Sequence, residues 1–344
     1  MRILFISPLG FPIRHDSRYV GIEKLVYYYV KELAKSHEVA VWGHTDSEFP
    51  ENVTNYAYKP QTEDVFLLAE VKQYQTYQTT LRKYDIIHDF SHQHLAARFN
   101  TNLPSLNLFW HAPSIAQYQK APYNIIALSR WAVREFKKYY HQEARYQSSI
   151  CIDTSIYKPS NCKRNNRFMA LARMGADKGN LQAAILCKKL GVPLDIVSAR
   201  GTESQGAPLT EYEKSVIELC DGEQIKLFPD SLPEPDKIKM MQTNKALLYI
   251  TDAPEVTSHK IQECLNCAMP VIVPGLGALP EIVTQDVDGY LCRTENEYIT
   301  AILTADKLDA AKTYEANKKK YGIEEVVADN MRLYQQVVDG LRWK

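Results

Sequence analysis

Short apolar runs alternate with amphipathic stretches from the first residues onward. Residues 3–6, Ile-Leu-Phe-Ile, are continuously apolar and stop at Ser7-Pro8, the pattern of a strand covered on both faces. After a loop containing Gly10, Pro12 and Gly21, residues 22–35 place Leu25, Tyr29 and Leu33 on one side and predict a helix. Residues 39–42 predict the next strand, and 85–88, 105–109 and 124–128 predict three more. Strands separated by helices imply a parallel sheet with right-handed crossovers.

The pattern lapses at residues 158–166, Lys-Pro-Ser-Asn-Cys-Lys-Arg-Asn-Asn, which read as an interdomain linker. A second series then begins: a strand over 167–172, a helix over 180–190 ended by Gly191, and strands over 193–197, 225–228, 246–250 and 270–273. Helical segments close the chain, the last over 323–341. Two α/β units in tandem are therefore expected, residues 1–158 and 166–325, followed by a terminal segment 326–344. Ligands of such sheets bind beyond the carboxyl ends of the strands, and two units bring those ends to one cleft.

Composition narrows the classes. A chain of 344 residues exceeds one ordinary domain, and 45% apolar residues suffice for a sizeable core. Basic and acidic residues both number 41, so no global field draws nucleic acid. The 7 cysteines are odd in number and lie mostly in apolar segments, which predicts reduced thiols and a cytoplasmic protein. Pro8 interrupts the first apolar run too early for a secretory signal. No apolar run is long enough for a transmembrane helix.

The sharpest chemical signal is Glu255-Val-Thr-Ser-His-Lys-Ile-Gln-Glu263, followed by Pro270-Val-Ile, Gly275, Gly277 and Glu281-Ile-Val283. Eight residues of helix would cover about 12 Å, comparable to the distance from a hexose to a ribose across a diphosphate. One carboxylate can then accept hydrogen bonds from sugar hydroxyls and the other from a ribose diol. A helix N-terminus between them offers N–H groups to the diphosphate. The plain alternative is two surface glutamates on an amphipathic helix.

This stretch resembles the retaining glycosyltransferases of family GT4, with their Glu-x7-Glu motif, Pro-Val-Ile-type strand and Gly-rich turn. Asp288-Gly289-Tyr-Leu is similar to that family's Gly-Phe-Leu segment, and Arg173-Met-Gly-Ala-Asp-Lys178-Gly179 to its Arg…Glu-Lys-Gly element. In the first half, Gly21-Ile-Glu23, His111-Ala-Pro, Ser129-Arg-Trp-Ala and Asp153…Tyr157-Lys-Pro159 also fall where that family has related elements. The resemblance implies a GT-B fold, two Rossmann-like α/β domains facing across a cleft, with a C-terminal helix crossing back to the first. It implies transfer of a hexose from an NDP-sugar, UDP- or GDP-linked, to a hydroxyl acceptor (glycan, lipid or small molecule), with retention. In that picture Arg173 and Lys178 grip the diphosphate, Glu263 holds the ribose, Glu255 with His111 orients the sugar, and Gly21 lets the first domain's loop approach the phosphate. Thr257 and Ser258 are donor contacts through their backbone N–H groups. No metal is expected, because two cations and a helix N-terminus meet the leaving charge and no Asp-x-Asp of the metal-dependent kind is present; nor is any cofactor beyond the donor. Where the family has Glu-Pro-Phe-Gly this chain has Glu255-Val-Thr-Ser258, and Val20 replaces the first Gly of the glycine pair.

Other features have two readings each. Arg173 and Lys178 could instead form a solvated salt bridge with Asp177. His88, His92 and His94 cluster near Asp89 with His-x-His spacing, as in some metal sites. Cys264-x-x-Cys267 fits core packing, and Arg200-Gly201 follows a strand end where a base or phosphate could sit. The helix from Arg130 carries Arg134, Lys137, Lys138, Trp131, Phe136 and Tyr139-Tyr140. Such a face suits a solvated surface, or weak peripheral contact with a membrane or polyanion. Besides transfer, two functions stay open: a GT-B protein that binds nucleotide or glycan without transfer, motivated by the altered 255–258 segment, and a nucleotide-sugar epimerase. A nicotinamide dehydrogenase is disfavoured, since no Gly-x-Gly-x-x-Gly follows Ile6. Oligomeric state is not legible.

Overall fold

The structure, a computed structural model, describes residues 1–14, 21–61, 66–100, 102–110, 122–198, 208–229 and 232–344. The chain divides into two compact units, Met1–Cys151 with Lys320–Lys344, and Ile152–Lys319.

The first unit runs β1 (Arg2–Ile6), α1 (Gly21–Leu33), β2 (Glu38–His44), β3 (Thr54–Tyr58), α2 (Phe66–Tyr77), β4 (Ile86–Asp89), α3 (Leu95–Phe99), β5 (Ser105–Phe109), β6 (Ile125–Ala127), α4 (Arg130–Tyr140) and β7 (Ala144–Tyr146). Its seven-stranded sheet has the order β3-β2-β1-β4-β5-β6-β7, and every pairing is parallel. The central strands read as apolar runs because both faces are covered: Ile3, Leu4 and Phe5 are fully buried.

The second unit runs β8 (Phe168–Leu171), α5 (Asn180–Leu190), β9 (Leu194–Ser198), α6 (Glu211–Leu219), β10 (Ile225–Pro229), α7 (Glu234–Thr243), β11 (Leu247–Leu248), α8 (His259–Asn266), β12 (Val271–Pro274), β13 (Gly289–Cys292) and α9 (Glu295–Thr304). Two helices follow, α10 (Tyr314–Tyr321) and α11 (Ile323–Val338). The six-stranded sheet has the order β10-β9-β8-β11-β12-β13, again parallel throughout. Both sheets thus reverse their winding direction beside their first strand, between β1 and β4 and between β8 and β11.

The C-terminal segment belongs to the first unit. Tyr334 of α11 is fully buried, its hydroxyl 2.6 Å from His88 Nδ1 on β4. Beyond it, the Trp343 indole N–H donates to the Ile125 carbonyl at 3.0 Å, and Trp343 and Asn124 exchange two further bonds of 3.0 Å. The recrossing element thus starts at Lys320, earlier than the expected 326.

The division at Cys151/Ile152 also precedes the polar 158–166 stretch, which is not a loose connection. Tyr157 donates to Glu234 at 2.7 Å, Gln242 donates to the Lys158 carbonyl at 2.9 Å, and the Arg164 guanidinium donates to the carbonyls of Met241, Asn244 and Cys267 at 2.8–2.9 Å. Its polar side chains cap backbone of the second unit, so its composition resembles a linker while its bonds fasten it down. Three strands not expected from the pattern are β3, β7 and β13, all at sheet edges.

Candidate functional site

The candidate site of the second unit sits at its switch point, beyond the carboxyl ends of β8 and β11, where open α/β sheets bind ligands. Two loops build it. The first, residues 172–179, follows β8 and leads into α5. Its Gly179 has φ +73°, and a Cβ there would lie 1.4 Å from the Ile250 carbonyl oxygen at the end of the 246–250 run. Only glycine permits both that backbone angle and that approach. Thr251 fastens the same loop by donating to the Asp177 carbonyl at 2.6 Å.

The second loop, 249–258, precedes α8. A Cβ on Gly277 (φ +59°) would lie 2.4 Å from the Glu255 carbonyl oxygen, and the Ala278 N–H donates to that oxygen at 2.8 Å. The Gly275-Leu-Gly277 turn after β12 therefore props the backbone of Glu255. Helix α8 starts only at His259, with Ser258 as its N-cap at φ −153°. Glu255 lies in the loop, so the eight-residue helical span expected between the glutamates does not form. The helical part from His259 to Glu263 rises about 6 Å.

The structure brings Lys178 and Glu255 into contact, Nζ to Oε1 3.0 Å, at 21% and 18% side-chain exposure. The same Oε1 accepts a short hydrogen bond from the Tyr249 hydroxyl. Among the described residues, Glu255 Oε2 accepts no protein hydrogen bond. Burial pushes the Glu255 carboxyl upward, but the charges of Lys260 and Lys178 and the two hydrogen bonds outweigh it and hold the group below its ordinary value. Arg173 Nη2 reaches both oxygens of Asp177 at 2.8 Å, and Asp177 lies 3.6 Å from Lys178. The salt-bridge alternative for Arg173 is thus realised here.

Thr257 and Ser258 lie in the loop between Glu255 and α8, and Glu263 one turn into that helix, with part of its surface open. Gly21 opens α1 in the first unit. His111, Val20 and Arg200-Gly201 lie outside the described residues.

Two members of the cluster were not singled out from sequence. Tyr249 lies in the apolar 246–250 run, which pairs as a strand only over β11. Lys260 sits in the first turn of α8 with its Nζ 3.5 Å from the Tyr249 ring centroid. A signal for it existed: positions 260, 264 and 267 form one helical stripe, and Cys264 and Cys267 on it are fully buried. A lysine on a core stripe is an anomaly the pattern contains.

In the first unit the three histidines separate instead of converging on a metal. His88 meets Tyr334, His92 Nδ1 lies 2.8 Å from Glu70, and His94 lies 3.5 Å from Asp89. Glu70 also accepts the backbone N–H groups of His92 and Gln93 at 2.9 and 3.0 Å. Among the described residues no group of His, Cys, Asp and Glu is placed to hold a metal ion. Ser129 caps α4 by accepting the Ala132 N–H at 3.0 Å. The face of α4 leaves Arg130, Arg134, Lys137, Lys138 and Tyr139 exposed. All seven cysteines are free thiols. Among the described residues no helix is long and apolar enough to cross a membrane.

No family profile matches the sequence, and no curated protein matches it. Solved structures do match in shape. HepE of Anabaena, in complex with UDP and glucose, superposes with TM-score 0.74 at 17% identity, covering 99% of this chain and 100% of that one. Sucrose-phosphate synthase of Thermosynechococcus elongatus gives 0.77 at 13% identity, with 99% and 100% covered. AviGT4, a glycosyltransferase involved in avilamycin A biosynthesis, gives 0.69 at 16%, with 100% and 99% covered. With two parallel sheets of matching order and a helix returned to the first unit, the chain has the GT-B fold.

Proposed function

We propose that this chain is a retaining glycosyltransferase of the GT4 kind, moving a hexose from a nucleoside-diphosphate sugar to a hydroxyl acceptor. The observation that carries the reading is the cluster of Arg173, Lys178 and Glu255 at the switch point of the second sheet, held by glycines that press on strand-end backbone. Two fixed cations beside a carboxylate with one open oxygen suit a diphosphate carrying a sugar. Solved structures of the same fold, AviGT4, a glycosyltransferase, and HepE in complex with UDP and glucose, add support for a UDP-linked donor.

In the reaction, the bond from the anomeric carbon to the diphosphate oxygen breaks. The acceptor oxygen bonds that carbon from the same face, and its proton passes to the departing phosphate oxygen. Arg173 and Lys178 meet the charge that grows on the diphosphate without reorganising, while Asp177 and Glu255 hold them in place beforehand. Glu255 Oε2 accepts a hydrogen bond from a sugar hydroxyl. Glu263 takes the ribose diol, and the N–H groups around Thr257 and Ser258 face the sugar. His111 and Gly21 are assigned to the sugar and phosphate on the strength of the sequence resemblance alone. The acceptor is a glycan, lipid-linked or small-molecule hydroxyl. The cytoplasm suits seven free thiols, and the basic, aromatic face of α4 suits weak contact with a membrane surface.

Calorimetric titration with UDP, GDP, ADP and dTDP, on the wild type and on Glu263→Ala, tests the donor site. One nucleotide should bind the wild type, with affinity about 10-fold or more weaker in the variant, the value of a lost charge-assisted pair of bonds. No binding by any of the four would sink the reading. Binding without turnover of any matching sugar donor would favour the non-transferring alternative.

A further inference from the structure

Lys260 is a costly residue where it stands. It is itself partly buried, on a helix whose neighbours Ile261, Cys264 and Leu265 are fully buried, and an apolar side chain would fill that stripe without desolvating a charge. Its ammonium rests on the face of Tyr249, 3.5 Å from the ring centroid. Among the described residues no carboxylate comes within ion-pair distance of it. Glu255, the nearest acidic group by its influence, gives its Oε1 to Lys178 and Tyr249. Asp177 is taken on both oxygens by Arg173. The cluster therefore holds three basic side chains against two carboxylates, and the unmatched one is Lys260.

We propose that Lys260 is a third cation of the donor site, left unmatched by the protein so that the diphosphate of the nucleotide completes its charge. The inference rests on the donor-site reading given above and adds a residue and a regulation to it. The groups facing the ammonium are Tyr249 beneath it, Glu255 and Lys178 from the two loops, Asp177 behind Lys178, and Cys264 one turn along α8. Burial pulls the ammonium down to about 7, Glu255 pulls it back up, and Lys178 pushes it down again. Near neutral pH the lysine is thus partly neutral. A diphosphate brought beside it favours the charged form and raises its pKa. Binding above pH 7 then takes up a proton, and affinity falls as the pH rises, because more of the free protein must be protonated first.

The test is calorimetry with UDP and GDP at pH 8, where the free nucleotides are fully ionised, in buffers of differing ionisation enthalpy. Wild type should take up close to one proton per nucleotide, about 0.9 for a group titrating near 7. Lys260→Met should bind about 10-fold more weakly, take up none, and melt no lower than wild type. Lys260→Arg, always charged, should bind at least as tightly as wild type at pH 8 and lose the uptake. If Lys260→Met binds as tightly as wild type with the same proton count, the proposal is wrong while the donor site stands. If it does not fold, a wild-type uptake of zero across pH 7–9 overturns the proposal by itself. If wild type binds neither nucleotide nor ADP or dTDP, the donor-site reading falls and this one with it.

Discussion

The two sheets share one winding order, yet the chemistry gathered at their switch points is opposite. Beyond β8 and β11 stand Arg173, Lys178 and Lys260 around two carboxylates. At the end of β4 Asp89 and, from α2, Glu70 stand 0% and 3% exposed, with His94 3.5 Å from Asp89, His92 on Glu70 and Trp110 against His92. Topology supplies a switch point in both cases, and the residues gathered there from loops, helices and strand ends decide its sign. The cationic crevice suits a diphosphate. The carboxylates of the first unit are instead buried and given to the protein's own groups, Glu70 to His92 and Gln93 and Asp89 to Ser91.

The comparison can be broken first through its glycines. Gly179→Val should cost the second unit more than about 4 kcal/mol, since strain at φ +73° adds to a contact of 1.4 Å with the Ile250 carbonyl. Gly222→Ala, at φ +79° with open space around it, isolates the strain and should cost about 1 kcal/mol. Equal losses in urea unfolding would show that the close approach does not fix the loop. A smaller effect sharpens the contrast on the other side. Glu70→Gln, which leaves donors of His92 and Gln93 short of a carboxylate, should cost the first unit about 2 kcal/mol and leave nucleotide affinity unchanged. A parallel drop in affinity would deny that the two crevices are separate in chemistry.

A further effect is graded by pH. Burial alone pushes His88 down to about 3, from an unfolded value of 6.5. A depressed value means that the neutral ring is what folding selects. Its stabilisation is complete above pH 6.5 and is lost as the pH falls toward 3, at up to about 1.4 kcal/mol per pH unit. Urea unfolding followed at pH 7, 6 and 5 should show the first unit weakening, and His88→Phe should flatten the slope. An unchanged slope in that variant would assign acid sensitivity elsewhere.

Much of this architecture was legible because the central strands are buried on both faces and so read as unbroken apolar runs. The predicted helix over 180–190 coincides with α5, since Gly191 at φ +67° marks its end. The edge strand β3 escaped notice for the converse reason: Thr-Asn-Tyr-Ala-Tyr is partly exposed along its length and carries no apolar run. In the site, Glu255 stood out by its spacing from Glu263, and Arg173 and Lys178 by the family resemblance. Tyr249 and Lys260 did not, because their meaning lies in contact with each other across 11 residues of loop and helix, not in either local pattern. The polar 158–166 stretch misled because hydrogen bonds to carbonyls leave no mark on composition.

The return of the chain to its first unit also sets a calendar for its synthesis. The partners of His88, Asn124 and Ile125 are Tyr334 and Trp343, which follow the whole second unit in sequence. At about 5–20 residues per second, the ribosome needs on the order of 10 s to traverse the second unit before they emerge. Through that interval the earlier-born half waits with an uncovered apolar flank, while the later-born half, continuous in sequence, can close at once. The first unit is thus completed only after the second has been made.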